Sequence, residues 1–277
     1  RRIVSNHKRV IHKSRQFACP GGYEEALSLF EQKVREGESL LPYMSEKWKM
    51  ASYNDDLLND WNLYHFHLTK RFREDGTAKR SDYEILAYVT ETDMYFLQVY
   101  RHMTAYHKYE LIEIMKDNWP DIIEQYRLKD IIELVNRPTE EEYRQLRKAH
   151  MSSLVQLEDK SVYGLIGGGY MSDGSSGAAL RESDYWLNLA RKVQDVIVAN
   201  AKSFSDAIGR FCKNPITKYE IRLLWFESKD KVTLAETNNH VIIQIDWQKK
   251  FLRICNPWEV FEIEALRGLI PIYRRQW

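Results

Sequence analysis

The sequence predicts an α+β protein: an antiparallel sheet with packed helices in the N-terminal lobe, then a second α+β lobe with a long helix and C-terminal antiparallel strands. Three observations carry this prediction. Segments near 62–69, 83–90 and 94–102 are rich in β-branched and aromatic residues, and Glu91-Thr92-Asp93 makes a tight turn between the last two. Segments at 23–35 and 183–200 instead place apolar residues three and four apart, which is helical spacing. Further strand-like runs at 219–227, 232–235, 241–246 and 251–254 close the chain.

Taken in order, Val10-Ile11 opens as a basic strand and Pro20-Gly21-Gly22 breaks it. The helix from Tyr23 to Arg35 carries Ala26, Leu27, Leu29, Phe30 and Val34 as its stripe, and Gly37 stops it. A second helix is expected from Ser45 to Leu58, with Ser45 as its N-cap. After the three strands, Tyr109 to Lys116 reads as a helix. Pro120 opens another at a position where its missing N–H costs nothing, with Ile122, Ile123 and Tyr126 turned inward. Ile131 to Val135 reads as a strand or short helix. The charged run from Pro138 to His150 reads as a helical connector. These boundaries divide the chain into a basic, histidine-containing lobe over 1–150 and a lobe with a Gly-rich loop over 151–277, a division that leaves room for one shared core. In the second, 153–157 and 161–166 read as a hairpin, and Trp186, Leu189, Val193, Val196 and Ile197 form the buried stripe of the long helix.

Composition narrows the class. With 277 residues, 44% hydrophobic and 29% charged, the chain has material for a sizeable core. No apolar run approaches the roughly 20 residues that span a bilayer, so no membrane partner is expected. Cys19, Cys212 and Cys255 are odd in number and far apart, which argues for a reducing, cytoplasmic location and against a thiolate metal site. The opening Arg1-Arg2, without an initiator Met, reads as the start of a piece of a longer chain. Net charge is only +1, but the first 23 residues hold six Lys or Arg and no acid, a pattern that suits a phosphate-binding arm or a solvated strand face.

Four of the eight histidines fall between His65 and His107. Residues two apart in a strand share a face, so His65 and His67 point the same way and His102 can reach them from a neighbouring strand. Imidazoles serve as acids, bases or metal ligands. Lys70, Arg71, Arg73 and Arg80 lie near the strand ends, where cations suit phosphodiester cleavage, and Tyr100 and its aromatic neighbours could stack on bases. Two histidines at strand spacing plus a third can hold zinc or iron, and cupin-like proteins follow such a His-x-His shortly with a Glu. The first one downstream, Glu74, sits among cations that would oppose a bound ion, so neither metal nor other cofactor is expected. Gly167-Gly168-Gly169 and the run through Ser175 to Gly177 match no P-loop and no dinucleotide fingerprint. Gly168, Gly169 and Ser175 could still present amides and a hydroxyl to an anion. Among Asp55, Asp56 and Asp60, one could act as a general base.

From Val10 to His102 the order is basic strand, two helices and three antiparallel strands, closing on Tyr100-Arg101-His102. In this it resembles the RelE/YoeB group of ribosome-associated endoribonuclease toxins; the Trp61 to Leu68 stretch also resembles a bacterial family of its own. The first resemblance implies a metal-independent endoribonuclease, a toxin or anti-phage effector that acts on RNA and answers to a protein inhibitor. His102 would be the acid, His65 or His67 would assist, and Lys70, Arg71 and Arg80 would hold phosphate. The alternative is a non-catalytic assembly subunit, a protein or nucleic-acid adaptor whose histidines are structural. Burial of the histidines away from any basic cleft would favour the adaptor.

Overall fold

The computed structural model describes residues 2–50, 53–79, 81–210, 220–238, 241–249, 251–256 and 259–263. They form two units, Arg1–Glu182 and Ser183–Trp277. The boundary falls later than expected because Val155, Leu157, Tyr163 and Ile166 complete a core with Trp61, Leu111 and Tyr143.

The first unit is built on β1 (Val10–Lys13), α1 (Glu24–Glu36), α2 (Asp56–Trp61), β2 (Leu63–His67), β3 (Tyr83–Val89) and β4 (Asp93–Arg101). The sheet order is β1-β4-β3-β2, with β1 parallel to β4 and the other pairs antiparallel. Strand alternation then sorts the side chains onto two faces. Phe66, Leu68, Ile85, Ala87, Phe96 and Val99 pack on Ala26, Leu27, Phe30 and Val34 of α1, whereas Leu29 stays exposed. Leu63 and Leu86 pack on the opposite side. A bulge skips Leu97 between the pairs Leu86–Gln98 and Ala87–Phe96, and so sets Tyr100 on the second face, in line with Glu84. Gly37 ends α1 in the left-handed conformation, φ 75°, as its position predicts.

The expected helix from Ser45 to Leu58 does not form as one piece. Ser45 caps a single 3₁₀ turn, Glu46–Lys49. Asp55 then caps α2 afresh, its Oδ1 accepting the Leu58 N–H at 3.1 Å. An Asp ahead of Leu58 competes for the backbone and starts a helix better than it continues one. The rest of the unit is α3 (Glu110–Asn118), α4 (Pro120–Glu124), α5 (Glu140–Lys148) and the short pair β5 (Val155–Gln156) and β6 (Val162–Tyr163). Residues 131–135 form neither strand nor helix, and Ile132 and Val135 are exposed. Nor is α5 a connector. Thr139 and Glu142 make a reciprocal capping box, and Tyr143 and Arg147 are buried.

The helix α6 (Gly177–Ala199) begins in the first unit; its part beyond Glu182 and α7 (Ala201–Gly209) contribute Val193, Phe204 and Ile208 to the core of the second, with Val232, Leu234, Ile243 and Ile245. Trp186 of the predicted stripe packs its ring at a tilt against Phe226, centroids 5.1 Å apart. The sheet runs β11 (Glu259–Ile263), β10 (Phe251–Asn256), β9 (Val241–Asp246), β8 (Lys231–Glu236), β7 (Ile221–Ser228), all antiparallel. The strand β11 was not foreseen, and Tyr219, expected to start β7, lies outside the described residues. Among the described residues no helix is long and apolar enough to cross a membrane.

Candidate functional site

The site grows from one cross-strand row. In the β2–β3 register His67 stands opposite Glu84, and in the β3–β4 register Glu84 stands opposite Tyr100. Directly paired residues share a face, so all three lie on the face away from α1. His102 follows β4 by one residue, and its amide donates to the Asp82 carbonyl at 2.9 Å, which carries the ladder on. His102 therefore comes to the same place as His67, and their rings stack with centroids 5.3 Å apart.

Glu84 is the centre of the group, and its side chain is 1% exposed. Its Oε2 accepts from the Tyr106 hydroxyl at 2.6 Å and from the Met103 amide at 3.3 Å. Met103 turns the chain at φ 60°, which brings Tyr106 back over the sheet. Glu84 Oε1 lies 3.6 Å from His67 Nδ1 and in close contact with His102 Nδ1. Yet Oε1 and His102 Nδ1 are buried without a hydrogen bond of proper direction. One ligand atom from each of His67, Glu84 and His102 falls within 4.8 Å of the others, so the trio could hold a metal ion. His102 is the outward member, its side chain 24% exposed against 11% for His67.

Around this trio the surroundings are acidic and aromatic. His65 shares the face, its ring 5.1 Å from that of Tyr106 and its Nδ1 3.8 Å from Asp55 Oδ2. Burial, reinforced by the Glu84 anion, drives the Tyr106 hydroxyl far above its ordinary value, so it remains a donor. Burial and the charges of Asp55 and Asp56 raise Tyr53 likewise. Asp60 is committed elsewhere: it pairs with Arg147 at 2.6 Å, both buried. Tyr170 donates to the Asp56 carbonyl and carboxylate, and burial raises the Asp56 carboxyl.

The three candidate histidines are thus brought together, whereas two of the cations expected near them, Lys70 and Arg73, are paired elsewhere. Lys70 has the parity of Phe66 and Leu68, and it pairs with Glu25 on the α1 side. Arg73 pairs with Glu46 at 3.0 Å, Arg71 is exposed in the loop, and Arg80 lies outside the described residues. Nor is Tyr100 an open platform. It packs against the core beneath α3, and Lys108 Nζ lies 5.7 Å from its ring centroid. The basic N-terminus is sewn into the fold. Arg9 donates to the Thr90 and Ser5 carbonyls, His12 meets Asp93 at 2.7 Å, Lys13 meets Glu31 at 2.6 Å, and Arg15 donates to the Asp117 carbonyl.

The glycine-rich segment is also spent on structure. Gly167 N–H donates to the Asp60 carbonyl at 2.6 Å, Gly169 N–H to that of Asn59 at 2.9 Å, and Gly168 N–H to that of Leu165. The Ser175 amide is taken by the Asp173 carboxylate at 2.9 Å, itself an anion. Gly167 and Gly169 therefore seat the loop against α2, and the amides of Gly168, Gly169 and Ser175 are all taken within the protein. A Cβ on Gly167 would sit 2.4 Å from the Asn59 carbonyl oxygen, which explains the residue type.

Glu84 is the member that sequence reasoning missed, and Tyr106, read there as one of the aromatics that could stack on bases, instead donates to it. The expectation of no metal rested on Glu74 as the carboxylate, and the structure puts Glu84 in that place instead. Its signal was a charge at an inward position of a strand paired on both sides, which alternation alone exposes. No protein-family model, curated protein or solved structure matches the chain.

Proposed function

We propose that the chain is an enzyme that cleaves phosphodiesters, RNA being its substrate, at the centre made by His67, Glu84 and His102. The observation that carries this reading is a buried carboxylate in contact with two imidazoles, one of them open to solvent. A carboxylate that anchors an imidazole fixes its orientation and basicity, which proton transfer to and from a reacting oxygen requires. The order of elements over 10–102, a strand, α1, the short α2 and three antiparallel strands, resembles that of the endoribonuclease toxins, and on that resemblance rest RNA as the substrate, a role in toxicity or phage defence and a protein inhibitor as partner.

Cleavage of a labelled RNA by the purified chain tests the proposal. Replacing His102 by Ala, or Glu84 by Gln, is expected to lower the rate by about 10²–10⁴-fold with the fold retained. A His102→Ala chain that cleaves as fast as its parent removes the assignment.

One observation favours a second reading, an adaptor whose histidines hold the fold. His65 and His67 are each under a tenth exposed, and the nearby cations Lys70 and Arg73 are bound to acids elsewhere. An adaptor turns over no RNA, so the same assay separates the two.

A further inference from the structure

We infer that His67, Glu84 and His102 bind one divalent transition-metal ion of the zinc class. The inference takes from the proposed function only the position of the centre and does not depend on RNA being the substrate.

The donor set comes first. Two imidazole nitrogens and one carboxylate oxygen suit zinc and its neighbours and suit magnesium or calcium poorly, since those prefer all-oxygen shells. The three ligand atoms lie within 4.8 Å of one another. Ligands at about 2.0–2.2 Å from an ion stand about 3–4 Å apart, so small side-chain rotations close the set.

The second observation concerns direction. Glu84 Oε1 and His102 Nδ1 are near enough to pair, yet neither makes a properly directed hydrogen bond. Groups that bond to each other line up; groups that share an ion converge on a point between them. The other oxygen, Oε2, is fully engaged by Tyr106 and Met103. The carboxylate is thus held from behind with its free lone pairs aimed at the imidazoles, as the outer shell of a metal site holds a ligand.

Charge is the third. Among the described residues no Lys or Arg makes an ion pair with Glu84, whose charged-group contacts are the imidazoles of His67 and His102. A buried carboxylate wants a compensating cation. A divalent ion supplies it, and would also supply the positive charge that phosphate chemistry needs and that Lys70 and Arg73 do not give. His102 is the ligand nearest solvent, so a remaining coordination position would be reached from its side. With the ion bound, a coordinated water would replace the His102 ring as the group that loses the proton.

The full chain, stripped with chelator and titrated with zinc chloride by calorimetry, tests this with no RNA present. One equivalent is expected to bind. Cobalt(II) alone should give a visible absorption band of a four- or five-coordinate site. His102→Ala and Glu84→Gln should each weaken binding at least about 100-fold, and Tyr106→Phe by about 10–100-fold. His7→Ala, at an exposed histidine, should change nothing. Because a core variant can misfold, X-ray absorption at the zinc edge of the unaltered chain gives an independent reading, and a shell with two imidazoles is expected. Binding that survives both variants, or a shell with fewer than two imidazoles, overturns the inference in favour of a bare imidazolium–carboxylate pair. Stoichiometric zinc without RNA cleavage would sink only the proposed function. RNA cleavage by a stripped chain that takes up no zinc would sink only the metal.

Discussion

Replacing Arg147 by Met should be among the most damaging single changes in the first unit. Arg147 and Asp60 are 3% and 2% exposed in their side chains and meet at 2.6 Å. The guanidinium also lies 4.0 Å from the Trp61 ring centroid and donates to the Tyr106 carbonyl. Met fills much of the space but strands the Asp60 carboxylate, whose remaining donor is Tyr143. Breaking a buried pair by removing one partner costs about 3–5 kcal/mol. Against a total stability of about 5–15 kcal/mol this is a large fraction. Spread over a unit of this size it lowers the midpoint by about 6–20 °C. The pH dependence has a definite sign. Burial already raises the Asp60 carboxyl, and Arg147 is the main force holding it down. Without Arg147 its folded pKa climbs further above the unfolded value of about 3.9. An acid raised on folding binds its proton more tightly in the native state, so its penalty grows as pH rises through that window. The Arg147→Met chain should therefore regain stability, by more than its parent does, as pH falls from the raised folded value towards the unfolded one. Adding Asp60→Leu should recover part of the loss, because the double variant buries no lone charge. Urea unfolding with amide exchange read in α2 and α5 isolates this unit from the other. A loss under about 1 kcal/mol with no pH effect would refute the reasoning.

Three further changes probe other links. Gly167→Ala pushes a Cβ to 2.4–2.5 Å from the Asn59 and Leu58 carbonyl oxygens, so it should cost about 1–3 kcal/mol by chemical denaturation; a neutral result would show that the loop seats differently. Lys116→Met should release Asp159, whose carboxyl the Lys116 ammonium and then Ser161 hold at about 2, back towards the ordinary carboxylate range in an NMR titration. That pair's stabilisation is present above pH about 4 and fades as pH falls through the depressed value. Both groups reach solvent, so the loss should stay under about 1 kcal/mol. Lys70→Ala should leave RNA cleavage and zinc binding unchanged and cost under about 0.5 kcal/mol, since it severs only a surface pair with Glu25; a large loss of cleavage would restore Lys70 to the site.

Elements with a strong period were legible from the residues alone. The strands of β2, β3 and β4 and the stripe of α6 fall where alternation and helical spacing put them, because one buried face fixes each. The failures have local causes. The helix expected over 45–58 carries apolar spacing, but Ser45 and Asp55 each offer a side-chain cap, and the chain takes both. The charged run of α5 looked like a connector because its glutamates face water. Its structural content is Tyr143 and Arg147, four apart on the opposite side, and a buried Arg is invisible until its partner Asp60 is known to lie beside it.

The same limit explains the site. Face-sharing found His65 and His67 correctly, because that rule acts within one strand. The choice of cations relied on closeness in sequence, and one residue of parity was enough to defeat it: Lys70 is three residues from His67 and on the other side of the sheet. Glu84 is seventeen residues from His67 and directly opposite it, a distance that only the β2–β3 register closes. The two errors compound. With Lys70, Arg71 and Arg80 read as phosphate holders and Glu84 left out, a metal looked repelled and phosphate looked welcome; Lys70 instead pairs on the α1 side, and a buried carboxylate stands between the two imidazoles. What the β2–β3 register assembles at this centre, in His67, Glu84 and His102, is a donor set that could hold a divalent ion.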